Sequence, residues 1–142
     1  PHDDLDLGVC AEDVDAICDV LHEFARSDVE WPSSFVLTDA AGRRVDSHPL
    51  DFDENGDGWQ AQKSGGPPYR WPRDGLVGVG TIDGVEVPCI TPELQVRWHM
   101  YPEFDDLDWQ DLQHLSRRFG LELPEQHRQQ PGFLAPKRGL QP

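Results

Sequence analysis

The chain is short of positive charge, of cysteine and methionine, and of any long apolar run. Lys plus Arg number 12 against 27 Asp plus Glu, a formal net charge of −15, which disfavours a surface that tracks a phosphate backbone or an anionic membrane. No nucleic-acid partner and no membrane partner is expected. No stretch approaches the roughly 20 apolar residues of a membrane-spanning helix, and Pro1 to Asp6 lack both the basic region and the apolar stretch of a secretion signal. Cys10, Cys18 and Cys89 form no C-x-x-C pair and leave an odd number, so neither a disulfide framework nor a zinc knuckle is expected. A reducing cytoplasm, with all three thiols as small core residues, is the expected setting. There is no G-x-S-x-G and no P-loop. At 142 residues, the chain has room for one core and not for two comfortable ones.

What is present is a mixed α and β pattern. Leu5 to Cys10 alternates and then runs apolar, which predicts a short strand whose period of two puts Asp4 and Asp6 on one face. From Glu12, Val14, Ile17, Cys18, Leu21, Phe24 and Ala25 recur at helical spacing, and the helix they predict ends near Arg26, a cation in its last turn. Ser34 to Thr38 and Arg44 to Leu50 read as strands joined at Asp39-Ala40-Ala41-Gly42, with Asp46 and His48 on one face of the second. Gly56 to Gly58 marks a turn, Trp59 to Gln62 a short strand, and Ser64 to Pro72 a loop too rich in Gly and Pro to be regular. Val77 to Ile82 and Val85 to Ile90 flank Asp83-Gly84, a hairpin signal. Thr91-Pro92-Glu93 opens a helix, and a second runs from about Asp106 to Phe119 with Gly120 just past its end. Residues 125–142, with recurring Pro and Gly and little to pack, read as a mobile tail.

The chemistry concentrates in acids. His2-Asp3-Asp4-Leu5-Asp6 heads one strand, and Asp46 followed by Ser47 and His48 lies on a later one. Two carboxylates on a strand face and a third from a neighbour can hold hard divalent cations, whose remaining coordination goes to water and phosphate oxygens. Asp51-Phe52-Asp53-Glu54-Asn55-Gly56-Asp57 fits the opening of a calcium loop, but Gln62 stands where the bidentate Glu belongs, so a polar hairpin turn is expected instead. His22, His99, His114 and His127 fall at no metal-ligand spacing.

The motifs Pro1-His2-Asp3-Asp4-Leu5-Asp6-Leu7, Arg44-Val45-Asp46-Ser47-His48-Pro49-Leu50, Gly58-Trp59-Gln60, Val87-Pro88-Cys89 and Arg118-Phe119-Gly120-Leu121 with Leu123-Pro124 occur in this order. Together they resemble the aminoglycoside and lincosamide nucleotidyltransferases, the antibiotic-modifying branch of the DNA polymerase β-like superfamily. The resemblance runs from Pro1 to about Pro124. It implies an α/β (α+β) nucleotidyltransferase-like domain over residues 1–124, a mixed β-sheet flanked by helices with β-hairpins and two C-terminal helices. It also implies an NTP, ATP by expectation, and Mg2+ as cosubstrate and cofactor. A nucleoside monophosphate would pass to a hydroxyl of an aminoglycoside-like small molecule, the reaction of antibiotic resistance. Asp4 and Asp6 map onto the family's metal-binding aspartates, and Asp46 onto its third carboxylate and candidate general base. His48, on the same face, reads either as an orienter of Asp46 or as a packing residue, and it is also a candidate substrate contact. Glu93, Glu103, Asp105 and Asp106 are candidates for the rim around a cationic acceptor, although the run from Glu103 to Asp108 also reads as a solvated helix start. For a less charged lincosamide, Trp59, Trp71 and Trp98 are candidate aromatic walls, although Trp98, like Trp109, reads better as core.

The chain departs from the family in two ways. The family's glycine-rich G-G-W-x-x-D loop, which holds phosphates through backbone N–H groups, does not occur ahead of His2, and the chain opens at Pro1 without Met; an N-terminally truncated member is therefore expected. Leu107 stands where a basic residue often precedes the aspartate corresponding to Asp108. A non-catalytic remnant that keeps the fold and binds through its acidic cleft is the alternative reading.

Overall fold

The computed structural model describes residues 4–99 and 105–123. The predicted tail, Glu103, His2, Asp3 and His127 lie outside them. The chain divides into two compact units, Pro1–Arg73 and Asp74–Pro142.

The first unit is built on a six-stranded mixed sheet. Strands β1 (Asp4–Cys10), β2 (Ala25–Ser27), β3 (Phe35–Thr38), β4 (Arg44–Phe52), β5 (Gly58–Gln60) and β6 (Tyr69–Trp71) run in the order β2-β3-β4-β5-β6, and β1 pairs with β4. The β1 pairing is parallel and the others are antiparallel. Between β1 and β2 come a 3-10 turn, Ala11–Asp13, and helix α1, Val14–Val20. Alternation along β1 and β4 divides the sheet into two faces. Leu7, Val9 and Val45 point into a core with Val14, Phe35 and Leu37, of which Phe35 and Leu37 are fully buried. The opposite face takes Asp4, Asp6 and Gly8 from β1 and Arg44, Asp46 and His48 from β4.

The long helix expected to end near Arg26 stops at Val20, and Arg26 lies in β2, opposite Leu37 of β3. Tertiary contacts override the helical period: the Arg26 guanidinium lies 4.4 Å from the Phe35 ring centroid and 5.0 Å from that of Trp31, and its Nε donates to Asp28 at 2.7 Å. Leu21 and Phe24 still reach the core, because a turn, with Phe24 N–H donating to the Leu21 carbonyl, brings the chain back over it. The predicted loop also contains an element the composition concealed, since Tyr69–Trp71 is a strand paired with β5.

The β3–β4 turn forms as predicted. Gly42 takes φ +81°, and Asp39 Oδ1 accepts from the backbone N–H groups of Ala41 and Arg43. Pro49 is tolerated inside β4 because, along that edge, β3 pairs with β4 only as far as Ser47 and β5 pairs with it only from Asp51 on.

The second unit holds the hairpin β7 (Gly78–Ile82) and β8 (Val85–Cys89), α2 (Pro92–Trp98) and α3 (Asp106–Phe119). Asp83 and Gly84 at the hairpin turn both take positive φ, 49° and 81°, as a two-residue turn that follows the strand twist requires. Thr91 caps α2, its side chain accepting from Leu94 N–H. Asp105 caps α3 in a capping box with Asp108, and Gly120 closes it in the left-handed region. Val96, Leu112 and Leu123 form the core here, with Trp109, Leu115 and Leu121 against it. Cys89, expected in a core, is exposed, while Cys10 and Cys18 are half-buried, and all three thiols are free.

Candidate active site

The parallel register of β1 and β4 makes Asp6 and Asp46 Cα partners and sets Gly8 beside His48. Paired residues of adjacent strands project to the same side, so two carboxylates and an imidazole converge on the face away from the core. Among the described residues they form a cluster in which one ligand atom from each of Asp6, Asp46 and His48 lies within 4.8 Å of the others. Asp6 is largely exposed, whereas Asp46 and His48 are half-buried. His48 Nε2 is 3.2 Å from Asp6 Oδ1. Gly8, on the same face, sits over Leu50 and Trp71: a Cβ there would lie 3.4 Å from Leu50 Cδ1 and 3.9 Å from the Trp71 ring.

Asp46 carries the main electrostatic anomaly of the site. Its Oδ1 is buried and has no hydrogen-bond partner among the described residues. A buried carboxylate oxygen without a donor is costly, and a second carboxylate beside it adds like-charge repulsion. A divalent cation between the two acids would remove both costs. Hard oxygen donors of this kind suit Mg2+ or Ca2+ rather than a thiophilic metal.

The other sequence-derived candidates fall at different places. Asp4 shares the face of Asp6, but its Cα partner is Arg44, and the two side chains meet at 3.9 Å. The Trp59 indole N–H donates to Asp53 Oδ2 at 3.0 Å, so its polar edge is committed within the β4–β5 turn. That turn accounts for the calcium-like sequence. Asp53 Oδ1 accepts from Asn55 and Asp57 N–H, while Asp57 accepts from Arg70 and from Arg73 N–H. Trp59 N–H holds the Asp53 carboxyl below its usual range, against burial that pushes it up. Glu93, Asp105 and Asp106 lie in the second unit, with Glu93 in the first turn of α2 and Asp106 in that of α3. The Asp105 carboxylate is occupied in capping α3, and the N–H groups of Asp108 and Leu107 hold its pKa below the usual value.

Sequence reasoning missed Gln60 as part of the site, and it offered Trp71 as an aromatic wall without its hydrogen bond to that residue. Trp71 Nε1 donates to Gln60 Oε1 at 2.9 Å, and Gln60 Nε2 lies 2.9 Å from the Ser33 carbonyl and 3.1 Å from His48 Nδ1. Period-two alternation on β5 places Gly58 and Gln60 on one face and is the signal that could have found Gln60.

A mixed sheet that sets paired acids on adjacent parallel strands is the arrangement expected of a nucleotidyltransferase fold, and a fold comparison finds the same architecture in a solved structure. The crystal structure of lincosamide antibiotic adenylyltransferase LnuA, lincomycin-bound, matches with a TM-score of 0.67 at 24% sequence identity, over 81% of this chain and 73% of that one. The family model for aminoglycoside-2''-adenylyltransferase matches residues 1–115, and the chain belongs to that family. No curated protein matches it. Membership implies an NTP cosubstrate and, as a rule, a divalent metal.

Proposed function

We propose that this chain transfers AMP from ATP to a hydroxyl of a cationic, aminoglycoside-like small molecule in the cytoplasm, with Mg2+ as the metal and antibiotic resistance as the consequence. The observation that carries the reading is the buried, donorless Asp46 Oδ1 beside Asp6. Family membership over residues 1–115 supports the reaction class, and the formal charge of −15 favours a cationic acceptor.

Asp6 and Asp46 are the residues that would hold Mg2+, and Asp4 joins them once its carboxylate leaves Arg44. When bound, Mg2+ supplies charge neutralisation at the phosphates. Asp46 takes the proton of the acceptor hydroxyl as its oxygen attacks the α-phosphorus. The new bond joins that oxygen to phosphorus, and the bond from the α-phosphorus to the bridging oxygen breaks as pyrophosphate leaves.

The test is pyrophosphate release from ATP with Mg2+ over a panel of aminoglycosides and lincosamides, for the wild type and Asp46→Asn. Acceptor-dependent release that the variant loses supports the proposal. Equal release by both proteins, or none with any acceptor, overturns it.

A further inference from the structure

Proximity makes Asp6, Asp46 and His48 look like three ligands, but the hydrogen bonds behind His48 divide them. An indole N–H can only donate and a backbone carbonyl can only accept. Trp71 Nε1 at 2.9 Å therefore fixes one end of the Gln60 amide as oxygen, and the Ser33 carbonyl at 2.9 Å fixes the other as NH2. That NH2 group has one further hydrogen, and His48 Nδ1 lies 3.1 Å from the nitrogen. Nδ1 must accept, so it carries the lone pair, and the ring proton of the neutral imidazole is on Nε2. Nε2 is the atom 3.2 Å from Asp6 Oδ1.

The arrangement is the reverse of what a metal-bound histidine needs. A ligating imidazole gives its lone pair to the metal and donates its other N–H to an acceptor behind it. Here the group behind is a donor, and it is firmly held: Gln60 is 6% exposed and Trp71 9% exposed. The Trp71 ring also packs against the imidazole, with centroids 6.0 Å apart.

We propose that Gln60 is a positioning residue for the transfer reaction: it locks His48 as the Nε2–H tautomer, which donates to Asp6 and holds that carboxylate beside Asp46. His48 is then a carboxylate orienter and not a metal ligand. The inference rests on the reading of Asp6 and Asp46 as the Mg2+ acids, and it adds Gln60, Trp71 and the Ser33 carbonyl to the machinery behind them.

The test is a long-range proton–nitrogen correlation spectrum of the full 15N-labelled chain, with His48 assigned through His48→Asn, recorded with and without Mg2+. The expected result is a protonated Nε2 and an unprotonated Nδ1 in both spectra, with Mg2+ shifting the Asp6 and Asp46 backbone signals. An Nε2 that loses its proton on addition of Mg2+ overturns the inference and leaves the transfer reading intact. Mg2+ that shifts neither aspartate overturns the transfer reading instead. Calorimetric titration of Gln60→Met with Mg2+ gives a second measure: a positioning role predicts affinity weakened about 10- to 100-fold. Unchanged Mg2+ affinity in a folded Gln60→Met protein overturns the inference.

Discussion

Asp6 and Asp46 are Cα partners in the parallel pairing of β1 with β4, so the fold itself forces two like charges onto one face. Such an arrangement costs stability in the metal-free protein and returns it when a cation binds. Asp46→Asn should therefore unfold at a temperature equal to or above that of the wild type without Mg2+. It should also lose the wild type's Mg2+-dependent rise, which is about 2.7 kcal/mol when Mg2+ is at a hundred times its Kd. Transfer activity should fall by about 10²- to 10⁴-fold, the usual contribution of a general base. Thermal melts with Mg2+ and with a chelator, beside the pyrophosphate assay, check all three expectations.

Phe35 at the start of β3 and Val20 at the end of α1 lie at opposite extremes of exposure. Phe35 is fully buried, whereas Val20 is 78% exposed. Phe35→Ala should cost about 3–5 kcal/mol through lost transfer energy and the cavity left behind. Val20→Ala, at the last position of the helix, should change stability by no more than about 0.5 kcal/mol. Urea unfolding midpoints of the two variants give the comparison, and a loss at Val20 as large as that at Phe35 would contradict its exposed position.

Local chemistry made much of this fold legible. The Asp83-Gly84 turn, the Thr91 cap, Gly120 beyond α3 and the Gly42 turn each rest on one residue's backbone preference, and each forms where the sequence indicates. The two missed strands both concern long-range pairing. Arg26 belongs to a strand because of Leu37, Trp31 and Phe35, and Tyr69–Trp71 is a strand because of β5. Neither partner is visible in the local pattern. Period two likewise puts Asp46 and His48 on one face, but only the parallel register with β1 brings Asp6 to them. Period two puts Gln60 on one face with Gly58, but its role follows only from what Trp71, Ser33 and His48 demand of one amide.

The hairpin of the second unit offers a test confined to backbone conformation. Gly84 has φ +81° and no neighbour within 4 Å of a Cβ built there, so a substitution there meets strain without a clash. Gly84→Val should destabilise by roughly 1–2 kcal/mol, the cost of left-handed backbone for a residue with a Cβ. Gly84→Asn, which tolerates that region, should recover most of the loss. Denaturant melts of both variants measure the difference, and equal losses would show that the turn depends on something other than φ.

Asp53 makes the β4–β5 turn sensitive to acid. The Trp59 indole N–H, then the backbone N–H groups of Asn55, Asp57 and Gly56, hold its carboxyl below the ordinary 3.8, against burial that pushes it up. A group whose folded pKa is depressed binds its proton less readily when folded than when unfolded, so its contribution to stability is present above the unfolded pKa. That contribution starts to fall as pH drops through about 3.8 and is gone once pH passes below the folded value. Trp59→Phe removes the strongest of the donors. The Asp53 carboxyl should then titrate at higher pH, and the variant should lose less stability than the wild type between neutral pH and pH 3. Carboxyl carbon NMR titration of both proteins reads the first effect, and urea melts at the two pH values read the second. An unchanged Asp53 titration in Trp59→Phe would mean that the turn's own backbone, and not the indole, sets the acidity of this residue.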